Sequence, residues 1–376
     1  MKKSIVVFLV ILLTGMLVGC NLGQDKEQSK DGENNQSSTN TSNNKPKTNS
    51  SEQNHDKDET KNSLPKIEDY YPLKKNTSYI YEGIGNEFAS YQTYNDYVEG
   101  KKLQQRVNNG GTELANVIEI RNGQVVKLYS RGEAYYRENL LKENGNGSPE
   151  ILLKEPLRKG TQWILADSRV RTITELEASI TTPTGTYKAI EVTTEGDHGK
   201  TLDYYAKNVG LVKSIFTSDG AEIISSLAKI EENVPHVQEI QFYYPNIDDS
   251  KLYYKNREVH FYTNDITRKV LAEEYKKLEN DKVGIVFSKN TAINSLYLNK
   301  DSHVYIDLNK EFINEMSAGA AFETMILQSI VNTFGVYYQS DRVYLTINNA
   351  PYESGHITKQ KGEYFLVDVE GAVKLR

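Results

Sequence analysis

One cysteine, Cys20, closes an apolar run, and that position gives it a chemistry. Met1-Lys2-Lys3 precedes the run Ile5 to Leu13, and Leu17-Val18-Gly19-Cys20 follows, the order that a lipoprotein signal peptidase cuts just before the cysteine. The apolar stretch is short for a membrane span, which needs about 20 residues. An ordinary secretory signal ends instead on an A-x-A-like site. Leu17, Val18 and Gly19 are thus the residues the peptidase would recognise, and Cys20 the residue that carries lipid. A diacylglyceryl thioether at Cys20 brings two acyl chains, which is what stable anchoring requires. Since Cys20 is the only cysteine, its lipidation leaves no thiol for a disulfide, a metal or a nucleophile. The expected place of work is the outer face of the cell membrane.

The remaining reactive side chains do not assemble into a motif. Six histidines occur, His55, His198, His236, His260, His303 and His356, and none stands at i+3 or i+4 from another His or a suitable Glu to bind zinc. His260 and His303 read as strand histidines, and His356 follows Gly355 in a loop. Asp307 and Glu311 lie close enough to suggest a carboxylate pair, but Asp307 reads more simply as the cap of a short helix holding Phe312 and Ile313. Ser63-Leu64-Pro65-Lys66 fits S-x-x-K without a helix to present it, and no G-x-S-x-G elbow exists for a serine nucleophile. Gly83-x-Gly85 lacks the third glycine of a dinucleotide fingerprint and reads as a strand-end bend. No catalytic residue, metal or cofactor is expected. Trp163 and the pairs Tyr135-Tyr136 and Tyr204-Tyr205 offer rings for stacking saccharide, one ring per face for each pair, since neighbours in a strand point opposite ways.

Composition limits the partners. Removing residues 1–19 takes Lys2 and Lys3 with it, so the formal charge moves from -6 to -8 over 357 residues. An acidic chain of this kind argues against nucleic acid and against polybasic docking on anionic surfaces. The length is large for one core, so two domains are expected. From Asn21 to Lys66 almost nothing is apolar, and such a segment cannot offset its ordering entropy. Residues 20–66 therefore read as a lipidated tether, whose flexible coil spans about 35–40 Å.

Order resumes at Tyr70-Tyr71-Pro72-Leu73. Short β-rich runs then recur with turn residues between them: Ser78 to Glu82, Tyr91 to Val98, Val117 to Ile120, Val125 to Tyr129, Ala134 to Arg137, Arg171 to Ile180, Tyr187 to Thr194, Thr201 to Ala206, Leu211 to Thr217 and Ile223 to Ile230. Asn122-Gly123 and Asp219-Gly220 predict hairpins with two residues at positive φ, and Thr182-Pro183-Thr184-Gly185 another turn. Glu150 to Thr161 reads as an interruption. With 26 Tyr against 10 Phe, the composition suits half-buried strand rings with wet hydroxyls. Residues 67–234 are expected to form an antiparallel, β-rich meander curved into a partial barrel or sandwich.

From about Pro235 the period changes. Val237 to Tyr244 and Glu258 to Tyr262 read as strands, and Thr263-Asn264-Asp265 as caps of a helix from Ile266 to about Leu278, with Val270, Leu271, Tyr275 and Leu278 inward. A hairpin of Ile293 to Leu298 with Val304 to Leu308 follows. A second helix runs from Gly319 to about Phe334 with Gly335 as its cap, and Val343 to Ile347 closes the set. Residues 235–376 are thus expected to be a small α+β domain of order β-α-β-β-α-β, both helices on one face of a sheet.

Two resemblances sit on these residues. Tyr70-Tyr71-Pro72-Leu73, Gly85-Asn86-Glu87-Phe88-Ala89, Asn109-Gly110-Gly111-Thr112, Gly160-Thr161-Gln162-Trp163 and Asp203-Tyr204-Tyr205-Ala206 make the β-rich part similar to an N-terminal domain of lipoproteins in endospore-forming Firmicutes. The run Val304-Tyr305-Ile306-Asp307-Leu308-Asn309-Lys310-Glu311-Phe312, then Gly319 with Glu323, Ile330-Val331-Asn332-Thr333-Phe334, Val343 to Ile347 and Gly355-His356 resembles the GerMN domain of spore germination proteins. Val283 to Phe287 departs from it, standing where the family has a Gly-Pro segment. The GerMN resemblance implies a non-catalytic scaffold of sporulation or germination, associating with envelope or sporulation proteins or with copies of itself. The alternative expectation is a lipoprotein that binds peptidoglycan or another wall saccharide and has no sporulation role.

Overall fold

The computed structural model describes residues 65–375 except 144, 146, 147, 247 and 278–280. Leu17, Val18, Gly19, Cys20, the signal segment, nearly all of the tether and Leu278 lie outside the described residues.

Alternating apolar residues and positive-φ turns carry the first half. A short helix α1 (Ile67–Tyr70) leads into β1 (Thr77–Ile84), β2 (Tyr91–Glu99), β3 (Lys102–Asn108), β4 (Glu113–Arg121), β5 (Gln124–Arg131), β6 (Glu150–Lys154), β7 (Gln162–Ile164), β8 (Val170–Thr182), β9 (Gly185–Gly196), β10 (Gly199–Ala206), β11 (Gly210–Ser218) and β12 (Ala221–Glu232). These twelve strands form one antiparallel sheet, a meander from β1 to β6 and another from β7 to β12, joined where β1 pairs β12. Both predicted glycine turns have two positive φ angles, 50° and 65° at Asn122-Gly123 and 49° and 79° at Asp219-Gly220, as a type I′ hairpin requires.

The sheet is rolled. Leu103, Ile118, Val125 and Leu153 from the first meander share one core with Trp163, Ile173, Val192 and Tyr205 from the second. The ends of the strand path, β6 and β7, meet through side chains: Trp163 Nε1 donates to Ile151 O at 3.0 Å, Arg171 Nη1 to the same carbonyl at 2.5 Å, and Arg171 Nη2 to Glu150 Oε1 at 2.7 Å.

Three local expectations change here. Lys102–Asn108 is a strand although its core is Leu-Gln-Gln-Arg-Val, because Gln104 and Arg106 are buried by an overlying segment and not by the core inside the rolled sheet. That segment, residues 132–143, contains Ala134 to Arg137, which is not a strand but a strap across the outer face; Ala134, Leu140 and Leu141 pack there on Tyr97, Ala115 and Val117. Glu150–Lys154, read as part of an interruption, is strand β6.

The second half comprises β13 (His236–Asn246), β14 (Lys251–Phe261), α2 (Thr267–Lys276), β15 (Ile293–Leu298), β16 (Val304–Leu308), α3 (Glu311–Asn314), α4 (Ala320–Tyr338), β17 (Arg342–Ile347), β18 (Ala350–Pro351), β19 (Phe365–Leu366) and β20 (Val373–Lys374). The expected elements are present, but the strands divide into two sheets, β13-β14-β20 and β15-β16-β17-β18, with β19 beside β17. Helix α4 crosses between parallel β16 and β17, as a parallel pair requires, and packs on both sheets. Ile330, Val331, Asn332, Thr333 and Phe334 are all buried in succession, the mark of a helix enclosed on several sides. Thr333 Oγ1 accepts the Tyr243 N–H at 2.9 Å, and Asn332 clasps the backbone of Asp368. Val283, Val286 and Phe287 fill this core without forming a strand.

Two caps differ from expectation. Helix α4 runs through Gly335 and ends at Gln339, whose φ of 55° makes the left-handed cap. Gly335 is instead a close-approach site, since a Cβ there would lie 2.1 Å from Val367 Cγ2. Thr263 and Asn264 do not cap α2, whose first turn follows Ile266 with no side-chain cap, because both are engaged with β2.

Candidate functional site

The densest buried chemistry lies where the loop after β14 meets β2. Thr263 N–H donates to Asn76 Oδ1 at 2.8 Å, Asn76 N–H returns a bond to Thr263 Oγ1 at 2.7 Å, and Thr263 Oγ1 donates to Asn95 O at 2.7 Å. Asn264 Oδ1 accepts the Val98 N–H at 2.8 Å while its Nδ2 donates to Val98 O at 3.0 Å, and its own N–H reaches Asp96 O at 2.9 Å. Asn76 and Asn264 take φ of 52° and 72°, which Asn tolerates better than most residues. The loop thus behaves as a short additional strand against the bulge in β2 between Asn95 and Tyr97.

Behind this ladder sits a buried ionic cluster. Asp96, Arg106 and Arg137 are 0, 2 and 0% exposed. Arg106 meets Asp96 at 2.9 Å and Glu113 at 2.7 Å, and Arg137 Nε stands 3.8 Å from Asp96. Burial alone would raise the Asp96 carboxyl; Arg106 and Arg137 outweigh it and hold it below the usual carboxylate range. Arg137 comes from the strap and locks the halves together. It donates to Tyr97 Oη at 2.8 Å, Asp96 O at 2.8 Å and Tyr262 O at 3.1 Å, and also to Asp265 O. Its N–H donates to Tyr337 Oη of α4 at 2.9 Å, and the neighbouring Tyr136 ring packs on Tyr338 at 4.9 Å.

Beside the cluster opens a cleft of about 490 Å³, with Gln92, Tyr94, Arg106, Glu113, His236 and His260 among its walls. His236 lies against Tyr94, ring centres 5.6 Å apart, and its Nε2 is buried with no hydrogen-bond partner. Burial pushes its pKa down to about 4, so it is neutral at pH 7. Arg106 has its donors engaged by Asp96, Glu113 and strap carbonyls, so the cluster's geometry serves as a joint.

Most of the sequence candidates are scattered. Asp307 does not cap α3; its carboxylate accepts Thr346 Oγ1 at 2.6 Å, Asn349 N–H at 2.7 Å and Asn294 Nδ2 at 2.8 Å, tying three strand ends together. His260 and His356 are exposed, and His303 packs on Tyr364 at 5.2 Å. Among the described residues no group of three or more His, Cys, Asp or Glu could hold a metal ion, and no helix is long and apolar enough to cross a membrane. Of the rings read as a saccharide platform on the β-rich half, Trp163, Tyr204 and Tyr205 are buried, Tyr136 is half-buried and Tyr135 is exposed. A row of rings stands elsewhere, on the outer face of the β15-β16-β17 sheet. Tyr297, Tyr305 and Tyr344 are cross-strand partners, with ring centres 5.5 and 5.2 Å apart, and Tyr297 is 42% exposed. Sequence alone gave no reason to single out Asp96, Arg106, Arg137 or His236. A Gln-x-Arg alternation inside a strand-length run was the signal present.

Residues 241–353 match the family model described as Germane: Sporulation and spore germination. Among solved structures, the chain is similar to the tandem GerMN domains of the sporulation protein GerM from Bacillus subtilis, at 18% identity and a TM-score of 0.27, over 33% of this chain and 45% of that one. It is also similar to the first GerMN domain of the same protein, at 18% identity and a TM-score of 0.24, over 35% of this chain and 94% of that one. A third is a protein described as a lipoprotein from Parabacteroides distasonis ATCC 8503, at 14% identity and a TM-score of 0.28, over 43% of this chain and 98% of that one. The chain thus spans less than half of the tandem GerM structure. No curated protein matches it. The C-terminal region is GerMN-like and follows a β-rich N-terminal region.

Proposed function

We propose that this chain is a lipid-anchored, extracytoplasmic scaffold protein of sporulation or spore germination, acting by association and not by catalysis. The observation that carries this reading is the Germane match at 241–353. The Leu17-Val18-Gly19-Cys20 sequence supplies the anchor, by palmitoyl-type acyl chains on Cys20, and residues 21–66 the reach. A buried ionic joint that welds the β-rich region to the GerMN-like region supports a rigid bracket, with the partner another envelope or sporulation protein or a second copy. The test is the yield of heat-resistant, germination-competent spores from a strain lacking the gene and from one carrying Cys20→Ala. Large losses in both support the reading, and normal yields in both overturn it.

A second reading, binding of wall glycan without a role in spores, is favoured by the Tyr297-Tyr305-Tyr344 row, in which Tyr297 is exposed and the other two half-buried. Aromatic faces and phenol hydroxyls suit amphipathic ligands. Co-sedimentation with purified peptidoglycan, lost in Tyr297→Ala with Tyr305→Ala, would support it; no co-sedimentation would remove it.

A further inference from the structure

We propose that His236 is an acid-sensitive latch: the joint between β2 and the 262–265 loop is closed while the imidazole is neutral, and protonation opens it without unfolding the barrel. Three observations place the group. His236 is the first residue of β13, directly after the segment that passes from the barrel to the second half, and pairs with Phe261 at the end of β14, one residue before the loop that docks on β2. Its Nε2 has no acceptor or donor within reach, so a proton added there meets no partner. The cleft at its side provides the space into which the ring would turn to reach water.

The charges around it do not rescue the imidazolium. From β2 it faces Tyr94 and Asp96, from β3 Arg106, from the strap Arg137, from β4 Glu113, from β12 Glu231 and from β14 His260. Asp96 attracts the added proton, but Arg106 and Arg137, which bind that carboxylate, repel it, and burial disfavours the charge most of all. An opened joint lets His236 titrate near its ordinary 6.5, whereas the closed joint holds it at about 4. The opening constant therefore rises by up to about tenfold for each unit that pH falls between those values. The Asp96 carboxyl, held below its ordinary value, stays ionised through this window.

Native-state hydrogen exchange on the intact chain at pH 7 and pH 5, corrected for intrinsic rates, tests this. The joint amides of Asn76, Val98 and Asn264 should lose protection about twentyfold, while Val125 and Val192 in the core of the β-rich half keep theirs. His236→Gln should abolish the loss and His260→Gln should leave it in place. An unchanged loss in His236→Gln, an equal loss at the core amides, or no loss in the native protein overturns the proposal. Should His236→Gln fail to fold, a carbon-13 titration of the native imidazole decides. A midpoint below pH 5, with joint-amide protection falling from about pH 6.5 downward, supports the latch, and a midpoint near 6.5 overturns it.

Discussion

Asp96 and the two arginines show how a buried charge becomes a constraint on neighbours. A buried carboxylate is tolerable only when paired and hydrogen-bonded, and here the pairing partners come from β3 and the strap. Arg137→Ala would remove the guanidinium bonds to Asp96 O, Tyr262 O and Tyr97 Oη and take one of its two cationic neighbours from the buried Asp96 carboxylate. We expect a loss of about 3–5 kcal/mol, the range for breaking a buried pair, read by urea unfolding. The Asp96 contribution has a defined acid limit. Its folded pKa is below its ordinary 3.8, so the stabilisation is complete above 3.8 and is lost as pH falls through the lower, folded value. Acid unfolding followed by circular dichroism should therefore show a step below pH 3.8 that Asp96→Asn lacks. These residues were opaque in the sequence because Gln104 and Arg106 alternate like a solvated strand face; nothing local says that residues thirty positions on will cover them. The lipidation proposed for Cys20 rests on the residues immediately before it.

At the scale of elements, periodicity located strands and helices but not their surroundings. The glycine turns were readable because positive φ at consecutive residues is a local demand. Gly335 was read as a cap for the same reason, and the structure assigns it a packing role that only the 365–369 segment explains. Gly335→Ala should gain about 1 kcal/mol of helix propensity yet lower stability by about 1–3 kcal/mol through overpacking against Val367. Adding Val367→Ala should recover most of the loss in a thermal melt. The ends of the twelve-stranded sheet offer a second test. Trp163→Phe keeps one aromatic ring, loses the rest of a buried indole and deletes the Nε1 bond to Ile151 O, so unfolding by circular dichroism should show a cost of about 2–3 kcal/mol.

Over the whole molecule, the described residues of 62–376 form one compact unit, although the sequence reads as two domains divided near Pro235. The proposed anchor makes its own prediction at this scale: Cys20→Ala should move the protein from the membrane pellet to the soluble fraction and abolish incorporation of labelled palmitate. An unchanged pellet would remove the lipid anchor from the reading.

By itself the sequence determined the features that depend on neighbours along the chain: the polar stretch to Lys66, the hairpins at Asn122-Gly123 and Asp219-Gly220, and the GerMN-like order of elements after Pro235; the proposal of lipid at Cys20 is of the same local kind. Each of these is set by residues a few positions apart, where backbone preference and hydrophobic period act directly. Only the tertiary structure decided which polar residues are buried, that α4 lies between two sheets, that the strap locks the halves, and that His236 buries its Nε2 while His260 is exposed. Those outcomes depend on pairs such as Asn76 with Thr263 and Arg137 with Tyr337, separated by 187 and 200 positions. Burial and desolvation at such sites belong to the assembled surfaces, not to any one segment.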